Sequence, residues 1–391
     1  MANEFFLIFG LVSFSFLAAM KKEWGIYLII LLLPTYQIRF SVVSVPMTFL
    51  ESLILLLTAI EFASLIHTGQ FKTFWWEQIT TKPKVSLSIL LFLLAAIASI
   101  YVSPVPIKGA GIFKAYFLEA VLFYFLCLAI IDTKKKFTHV VQSLATLVCY
   151  VSLFGIYQFI TLYNLPFSWW GIEVAERRIT SLLNHPNAVA LLLGPVLAML
   201  MVLPKSKISF IAIASGLVAL FMTFSRASWL ALIATLILFG LISSAYRKKI
   251  FVLGVVLGIL MFTAPYSRNK VLEVTVGNDP SKKNRYVLWH AAFDMLKKSP
   301  VTGVGLMGFH ENFKNYPVGP DRVIQNYPHN FFLNFWLETG FIGLLSISAL
   351  LVLFYKKIWE LMKTNNRTVA LGTAAGITMV LLHGMVDVPY F

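Results

Sequence analysis

Residues 85–102 read VSLSILLFLLAAIASIYV, an apolar stretch in which no residue carries a charge. A helix that crosses the roughly 30 Å apolar layer of a bilayer needs about 20 predominantly apolar residues. Blocks that meet or approach this length recur along the chain, at 112–131, 138–162, 208–224 and 331–355. The pattern predicts an all-α protein built from membrane-spanning helices.

The composition supports a chain whose surface faces lipid. The 391 residues are 59% hydrophobic and 13% charged, whereas soluble domains have about 45–50% apolar and about 25% charged residues. The first apolar block, 5–20, ends in Lys21 and Lys22 without a small-residue cleavage site, so we expect a retained helix. Cys127 and Cys149 lie in apolar blocks and are predicted to be packing residues.

The net charge of +15 raises the question of a nucleic-acid partner. The basic residues stand in small clusters between apolar blocks rather than in an extended stripe with interleaved aromatic residues, so we expect no nucleic-acid partner. Lys and Arg concentrate in short cytoplasmic loops. The clusters assigned to the cytoplasm are Lys21-Lys22, Lys72/Lys82/Lys84, Lys134-Lys135-Lys136, Lys205/Lys207, Arg247-Lys248-Lys249 and Lys356/Lys357/Lys363/Arg367.

These clusters predict about twelve spans in one integral membrane domain, 1–391. The N-terminus and a long loop, 265–330, inserted between two spans, then lie outside. Because an even number of spans leaves both ends outside, a further C-terminal span is expected to be missing after Phe391. The spans are placed at 5–20, 24–40, 46–66, 85–102, 112–131, 138–162, 185–203, 208–224, 227–245, 250–264, 331–355 and 368–386.

The loop 265–330 holds most of the polar sequence between spans. Apolar residues at helical spacing predict a short amphipathic helix from about Asn284 to Lys298, ended by Pro300, with Arg285 in its first turn. The following run GVGLMG, 303–308, matches the G-x-G-x-x-G pattern, but it lacks the strand that a dinucleotide site requires. Its glycines are predicted to allow tight turns and close backbone approach.

The next span begins at His329 and Asn330. A helix N-terminus presents free N–H groups and a partial positive charge, which suit an anion. For a single histidine at such a position, helix capping is the alternative interpretation.

Other polar residues stand at the predicted outer ends of spans. Arg226 lies in a tight turn between two apolar blocks, and Arg178 precedes the sequence NHPN, 184–187, at the start of a span. Lys114 and Glu119 lie near the outer end of the fifth span. Glu119 stands inside an apolar run and needs a partner, which we expect on another helix because Lys114 is not three or four residues away. Snorkelling of the basic side chains to water is the alternative to a functional role, and capping is the alternative for Asn184.

Together these residues resemble the O-antigen ligase family, which shares a C-terminal motif region with O-antigen polymerases. The resemblance covers roughly 175–390. The matching residues are Ser225-Arg226-Ala227-Ser228-Trp229, Arg285 with Trp289 and Ala292, Pro300 with Gly303-Val304-Gly305, His329-Asn330-Phe331-Phe332-Leu333, Glu338-Thr339-Gly340-Phe341-Ile342-Gly343, the weaker Arg178 with Asn187-Ala188-Val189-Ala190, His383-Gly384-Met385-Val386-Asp387, and Leu33-Pro34-Thr35-Tyr36 through Pro46 and Glu51.

The resemblance implies an all-helical glycosyltransferase of the GT-C-like class. It would be a multi-pass protein of the bacterial inner membrane, with its active site facing the periplasm and with no metal or other cofactor. The donor would be a glycan on undecaprenyl pyrophosphate. The acceptor would be a lipid A core sugar in a ligase, or another lipid-linked glycan in a polymerase, and a few relatives glycosylate proteins.

The resemblance also assigns roles to particular residues. Arg226 and Arg285 match the family's essential arginines. Arginines bind phosphate oxygens bidentately and keep their charge, which suits a pyrophosphate leaving group. His329 matches the general base, since imidazole titrates near neutral pH, although a hydrogen bond to the pyrophosphate is the open alternative. Arg178, Lys114 and Asn330 are further pyrophosphate ligands, and Glu119, Asn187, His383 and Asp387 are supporting residues.

Two other classes remain as alternatives. A transporter of lipid-linked oligosaccharides or of anions would also be polytopic and basic, but it would place polar or broken helices near the bilayer midplane. Here the candidate polar residues cluster at one predicted face, and no internal repeat is detectable. A structural membrane scaffold would leave the ordered motifs unexplained.

Overall fold

The structure is a computed structural model that describes residues 2–203, 206–242, 247, 254–255, 280–316 and 325–388. Most of the predicted span 250–264 and the beginning of the predicted loop, 265–279, lie outside the described residues, as does 317–324. The domain boundaries and the external position of the loop therefore stay predictions.

The described residues are almost entirely helical, which confirms the all-α prediction. The helices are α1 (Ala2–Met20), α2 (Lys22–Leu31), α3 (Phe49–His67), α4 (Phe71–Thr81), α5 (Pro83–Val102), α6 (Pro106–Ile112), α7 (Glu119–Ile130), α8 (Lys134–Thr161), α9 (Pro186–Val202), α10 (Lys207–Met222), α11 (Arg226–Ile242), α12 (Pro280–Lys298), α13 (Gly308–Phe313), α14 (Phe331–Leu361) and α15 (Arg367–Gly384). Short 3-10 turns lie at Leu33–Gln37, Phe167–Trp169 and Val174–Glu176, and a π-helical turn at Phe113–Leu118 joins α6 to α7.

Within the described part of the chain, five helical stretches are long and apolar enough to cross a membrane. They are Phe49–His67, Pro83–Val102, Pro106–Ile130, Lys134–Thr161 and Phe331–Leu361. Four shorter apolar helices are Phe5–Met20, Pro186–Val202, Lys207–Met222 and Arg226–Ile242. The chain is thus a membrane protein by helix length and composition, while the count of about twelve spans stays a prediction.

The prediction that residues 24–40 form one membrane-spanning helix is wrong. Helix α2 ends at Leu31, because Pro34 has no N–H to continue the helical hydrogen bonds. Strands β1 (Arg39–Val42) and β2 (Val45–Thr48) then form an antiparallel hairpin. Thr48 caps α3 through a reciprocal capping box with Glu51, which moves the start of the third predicted span from residue 46 to Phe49. Helix α4 was not predicted.

Two compact units make up the described chain. The first comprises Met1–Leu147, Met295–Asn315 and Phe335–Leu353, and the second comprises Val148–Asp294, Tyr316–Asn334 and Phe354–Phe391. In the first unit α3 packs against α1, α2 and α7. In the second unit α9 packs against α10, α11 and α15, and it approaches α15 closely because Gly194 leaves room for Met379.

The glycine run 303–308 closes a loop against a break in α14 within the first unit. Gly340 has φ +67 and interrupts the helix, which frees backbone groups on either side of the break. The Val304 amide donates to the Leu337 carbonyl at 2.7 Å, and the Phe341 amide donates to the Val301 carbonyl at 2.8 Å. Gly303 has φ +66, and a Cβ there would overlap the Leu337 carbonyl. The predicted role of these glycines in close backbone approach is confirmed.

Gly303→Ala should lower the free energy of unfolding by more than about 2 kcal/mol. The alanine would have to adopt a left-handed backbone conformation, and its Cβ would overlap the Leu337 carbonyl, so the two costs add. Gly111→Ala is the matched control, since Gly111 is helical and a Cβ there meets nothing within 4 Å. Thermal unfolding in detergent measures both variants. Equal melting temperatures for the two would contradict the close packing at Gly303.

Candidate active site

The centre of the candidate site is a hydrogen-bonded pair, His329 and Asp387, in the second unit. His329 Nδ1 lies 2.9 Å from Asp387 Oδ1. The other carboxylate oxygen, Oδ2, accepts from Asn187 Nδ2 at 3.1 Å, and the Val388 amide donates to Oδ1 at 2.8 Å. Asp387 is only 3% exposed. A buried carboxylate that is held from three sides has one orientation available, so it can fix the orientation of the imidazole.

The charge of Asp387 follows from its partners. Burial raises the pKa of the Asp387 carboxyl, but the hydrogen bond and charge of His329, with smaller effects of His383 and of the Val388 amide, more than offset it. The pKa of Asp387 therefore falls below its ordinary value. The residue is a carboxylate at neutral pH and can stabilise a positive charge on His329.

Local backbone contacts place His329 immediately before the N-cap of α14. The residue has φ +52, a left-handed conformation that is uncommon outside glycine. Asn330 follows as the N-cap: its Oδ1 accepts from the Leu333 amide at 3.0 Å, and its Nδ2 donates to the Met385 carbonyl at 3.0 Å. The bond to the Met385 carbonyl ties the start of α14 to the segment just after α15, where Asp387 lies.

The second ring nitrogen of His329 also faces an oxygen. Nε2 lies 3.4 Å from Gln325 Oε1, and the Tyr327 ring packs edge-on against the imidazole. Both ring nitrogens therefore face oxygen atoms, and either can donate a hydrogen bond when it carries a proton. Gln325 and Tyr327 were not predicted as site residues, and their types alone gave no signal.

Arg178 connects the pair to the turn that precedes α11. Its Nε donates to the Thr223 carbonyl at 2.8 Å, and one of its terminal nitrogens donates to Asn187 Oδ1 at 3.1 Å. Its guanidinium also lies over the Trp169 ring, 5.1 Å from the centroid. Asn187 thus offers its oxygen to a cation and its NH2 group to a carboxylate. A continuous polar chain runs from Thr223 through Arg178, Asn187 and Asp387 to His329.

Arg226 begins α11, three residues after Thr223. The turn before it is tight, as predicted: Phe224 has φ +49, and the Ser225 amide donates to Thr223 Oγ1 at 3.2 Å. The Trp229 indole donates to the Leu220 carbonyl at 3.0 Å and fixes the turn from the other side. The half-buried Arg226 is therefore held on a rigid corner next to the carbonyl that binds Arg178.

Arg285 reaches the same region from α12. The helix begins at Pro280, somewhat before the predicted start, and confirms the predicted helix in this segment. Arg285 Nε donates to the Val386 carbonyl at 2.9 Å, directly beside Asp387 in the chain. The Trp289 indole, one turn further along, donates to the Pro328 carbonyl at 3.0 Å, next to His329. Helix α12 is thus tied to both ends of the His329–Asp387 pair.

Two predicted residues belong to the first unit. Lys114 Nζ lies 2.8 Å from the Pro46 carbonyl and 3.3 Å from Glu51 Oε2. Glu119 is buried, and its Oε1 has no hydrogen-bond partner among the described residues, so the expected partner on another helix is not found for that atom. The role of Lys114 as a pyrophosphate ligand and that of Glu119 as a supporting residue stay predictions.

Two histidines complete the surroundings of the pair. His383 is buried on α15, and neither ring nitrogen has a hydrogen-bond partner within the ranges described. His185, not Asn184, is the N-cap of α9, because its Nδ1 accepts from the Asn187 amide at 3.0 Å. Burial, followed by the charge of Arg178, lowers the pKa of His185 and keeps this cap neutral. His185 therefore helps to position Asn187.

Residues 209–348 match the protein family described as O-Antigen ligase. This segment, 140 of the 391 residues, is similar to the O-antigen ligase family. The matched segment includes Arg226, Arg285 and His329, whereas Arg178, Asn187 and Asp387 lie outside it. A search among curated proteins gives no match.

The match to the O-antigen ligase family confirms the resemblance and gives a coarse function. Together with the apolar helices, it indicates a bacterial membrane protein of the O-antigen ligase or polymerase type, an enzyme of polysaccharide assembly. Among the described residues no group of three or more His, Cys, Asp or Glu side chains could hold a metal ion. Independence from metal stays a prediction.

Proposed function

We propose that this chain is an inverting glycosyltransferase that moves a glycan from undecaprenyl pyrophosphate to a sugar hydroxyl, with the lipid A core as acceptor. The active site would face the periplasm from the inner membrane. The observation that carries the proposal is the His329–Asp387 pair at 2.9 Å, with Arg285 bonded to the residue before Asp387. A base with a fixed orienting carboxylate and nearby cations is what glycosyl transfer from a pyrophosphate requires.

In the proposed reaction, the acceptor hydroxyl attacks the anomeric carbon in a single displacement. Its oxygen forms the new glycosidic bond, and its proton passes to His329 Nε2. Donation from Nδ1–H to Asp387 keeps the lone pair on Nε2, and the carboxylate then stabilises the imidazolium. After proton uptake, Nε2–H can donate to Gln325 Oε1, which lies 3.4 Å away.

The leaving group departs with the electron pair of the broken sugar–oxygen bond. Negative charge therefore grows on the pyrophosphate, and fixed cations lower the barrier. Arg226 and Arg285 are the proposed ligands, with Arg178 and Asn330 as further ligands. The bonds from Arg178 to Thr223 and Asn187 also suit a positioning role, since they join the Arg226 turn to the Asp387 network.

A polymerase of the same family is the second candidate, because the domain match is common to both types. Purified protein in lipid nanodiscs, supplied with lipid-linked glycan, separates them. A glycan captured only when a lipid A core acceptor is present supports the ligase, and chain growth without that acceptor supports the polymerase. No covalent product in either mixture, combined with glycan movement across vesicles that contain the protein, would favour a transporter and contradict the proposal.

A further inference from the structure

The segment 162–176, between α8 and α9, exposes large apolar side chains. Ile172 is 98% exposed and Phe167 is 82% exposed, and Tyr163 and Val174 are also mostly exposed. In water such a group would be unfavourable, since exposed apolar surface restricts the surrounding solvent. Several large apolar side chains exposed within one short segment indicate a contact with another molecule or with lipid.

Hydrogen bonds hold the backbone of this segment in place. The buried Gln158 binds its start: Nε2 donates to the Asn164 carbonyl at 2.9 Å, while Oε1 accepts from the Thr180 and Ser181 amides at 2.9 and 2.8 Å. The Trp170 indole donates to the Leu165 carbonyl at 2.8 Å.

A second set of contacts shapes the tip. Gly171 has φ +75, and a Cβ there would overlap the Glu173 carbonyl and Glu176. The Ile172 amide donates to Glu176 Oε2 at 3.0 Å. Because the polar groups of the tip bind each other, the Ile172 side chain is directed outward without support from the rest of the described chain.

Two observations favour the lipid bilayer as the partner. The segment begins directly after Thr161, where a helix long and apolar enough to cross a membrane ends. Its aromatic residues include Trp169 and Trp170, and tryptophan is enriched at membrane–water interfaces.

We propose that the segment 162–176 lies in the surface of the bilayer, with Phe167 and Ile172 among the acyl chains. Trp169 joins this anchor to the candidate site, because its ring lies under the Arg178 guanidinium and packs edge-on against His185 at 4.8 Å. The anchor thereby holds Arg178, one member of the polar chain, near the lipid surface. The proposal is independent of the reaction assigned above.

The test uses the full chain in nanodiscs with a fluorescent amino acid at one position. The probe at Ile172 is compared with probes at Leu94, an exposed residue of the apolar span Pro83–Val102, and at Asn365, in the exposed turn between α14 and α15. Lipids with brominated acyl chains should quench the probe at 172 as they quench the probe at 94. Aqueous iodide should quench the probe at 365 and should not quench the probe at 172.

Strong quenching at residue 172 by iodide, without quenching by brominated lipid, would overturn the proposal in favour of a water-exposed loop. Protection from both quenchers would overturn it in favour of a protein partner. A second probe at Phe167 guards against local disturbance at 172, and a probe at the neighbouring Glu173, which is exposed and acidic, should be reached by iodide more readily than 172.

Discussion

His329→Ala and Asp387→Asn should each reduce glycan transfer by a factor on the order of 10²–10⁴, the usual contribution of a positioned general base. The alanine removes the proton acceptor. The asparagine keeps the shape of Asp387 but removes its charge. Its NH2 group can take the place of the carboxylate oxygen that lies 2.9 Å from Nδ1 and donate to Nδ1, which moves the ring proton to Nε2. The lone pair is then no longer held on Nε2. Both substitutions should lower kcat more than they raise KM.

The matched control is His290→Ala, which removes an exposed histidine of α12 in the same unit. The variant should transfer glycan at the normal rate. Insertion and melting temperature in detergent distinguish loss of chemistry from loss of fold. Near-normal transfer by both His329→Ala and Asp387→Asn, in well-folded protein, would remove this pair from the active site.

The pH dependence gives an independent check on Asp387. Because its folded-state pKa is lowered, its ionised form adds stability at neutral pH, and this contribution is lost only as the pH falls through a value below the ordinary 3.8. Changes in transfer rate between about pH 5 and 8 must then come from other groups, such as an imidazole. Asp387→Asn should lower the melting temperature at pH 7, and the difference from the unaltered protein should shrink as the pH falls below 3.8.

Arg285→Ala and Arg226→Ala should each slow transfer by about 100–1000-fold, the typical cost of losing one preorganised donor to a developing negative charge. Arg285 lies against the Val386 carbonyl, and Arg226 begins α11 on its rigid turn. Because the charge of the leaving group grows in the transition state, the loss should fall on kcat. Arg285→Lys should recover part of the rate, since it keeps the charge but loses the bidentate geometry.

Lys283→Ala is the control for Arg285, because it removes an exposed cation from the same helix. Transfer is measured with purified protein and lipid-linked glycan, and donor binding is measured separately in the absence of acceptor. If Lys283→Ala slowed transfer as much as Arg285→Ala, the effect would be one of general charge rather than of a positioned guanidinium.

The sequence alone was sufficient to predict local structure around several polar residues and glycines. Arg226 lies between two apolar blocks with almost no loop, so a tight turn was required. Apolar spacing after Arg285 gave the helix α12, and the glycines of 303–308 gave the close turns. The helical class followed from apolar block length, because a bilayer fixes the length of the helices that cross it.

Local errors arose where short-range signals compete. An apolar stretch interrupted by Pro34 was predicted as the span 24–40, although the missing N–H ends α2 and the chain continues as a hairpin. Asn184 was considered as a helix cap, whereas His185 has the extended backbone and the side-chain contact of an N-cap. Residue type suggested both interpretations, and backbone geometry decided between them.

By itself, the sequence determined the helical membrane class, the O-antigen ligase resemblance and the individual polar residues. Only the tertiary structure decided which of those residues meet. Asp387 lies 58 positions from His329 and 200 positions from Asn187, yet it binds both. Hydropathy and helical periodicity describe residues within one helix or strand. They carry no information about how far two helices lie from each other. The polar chain from Thr223 to His329 exists because separate helix ends converge in the second unit, where a buried carboxylate needs several donors.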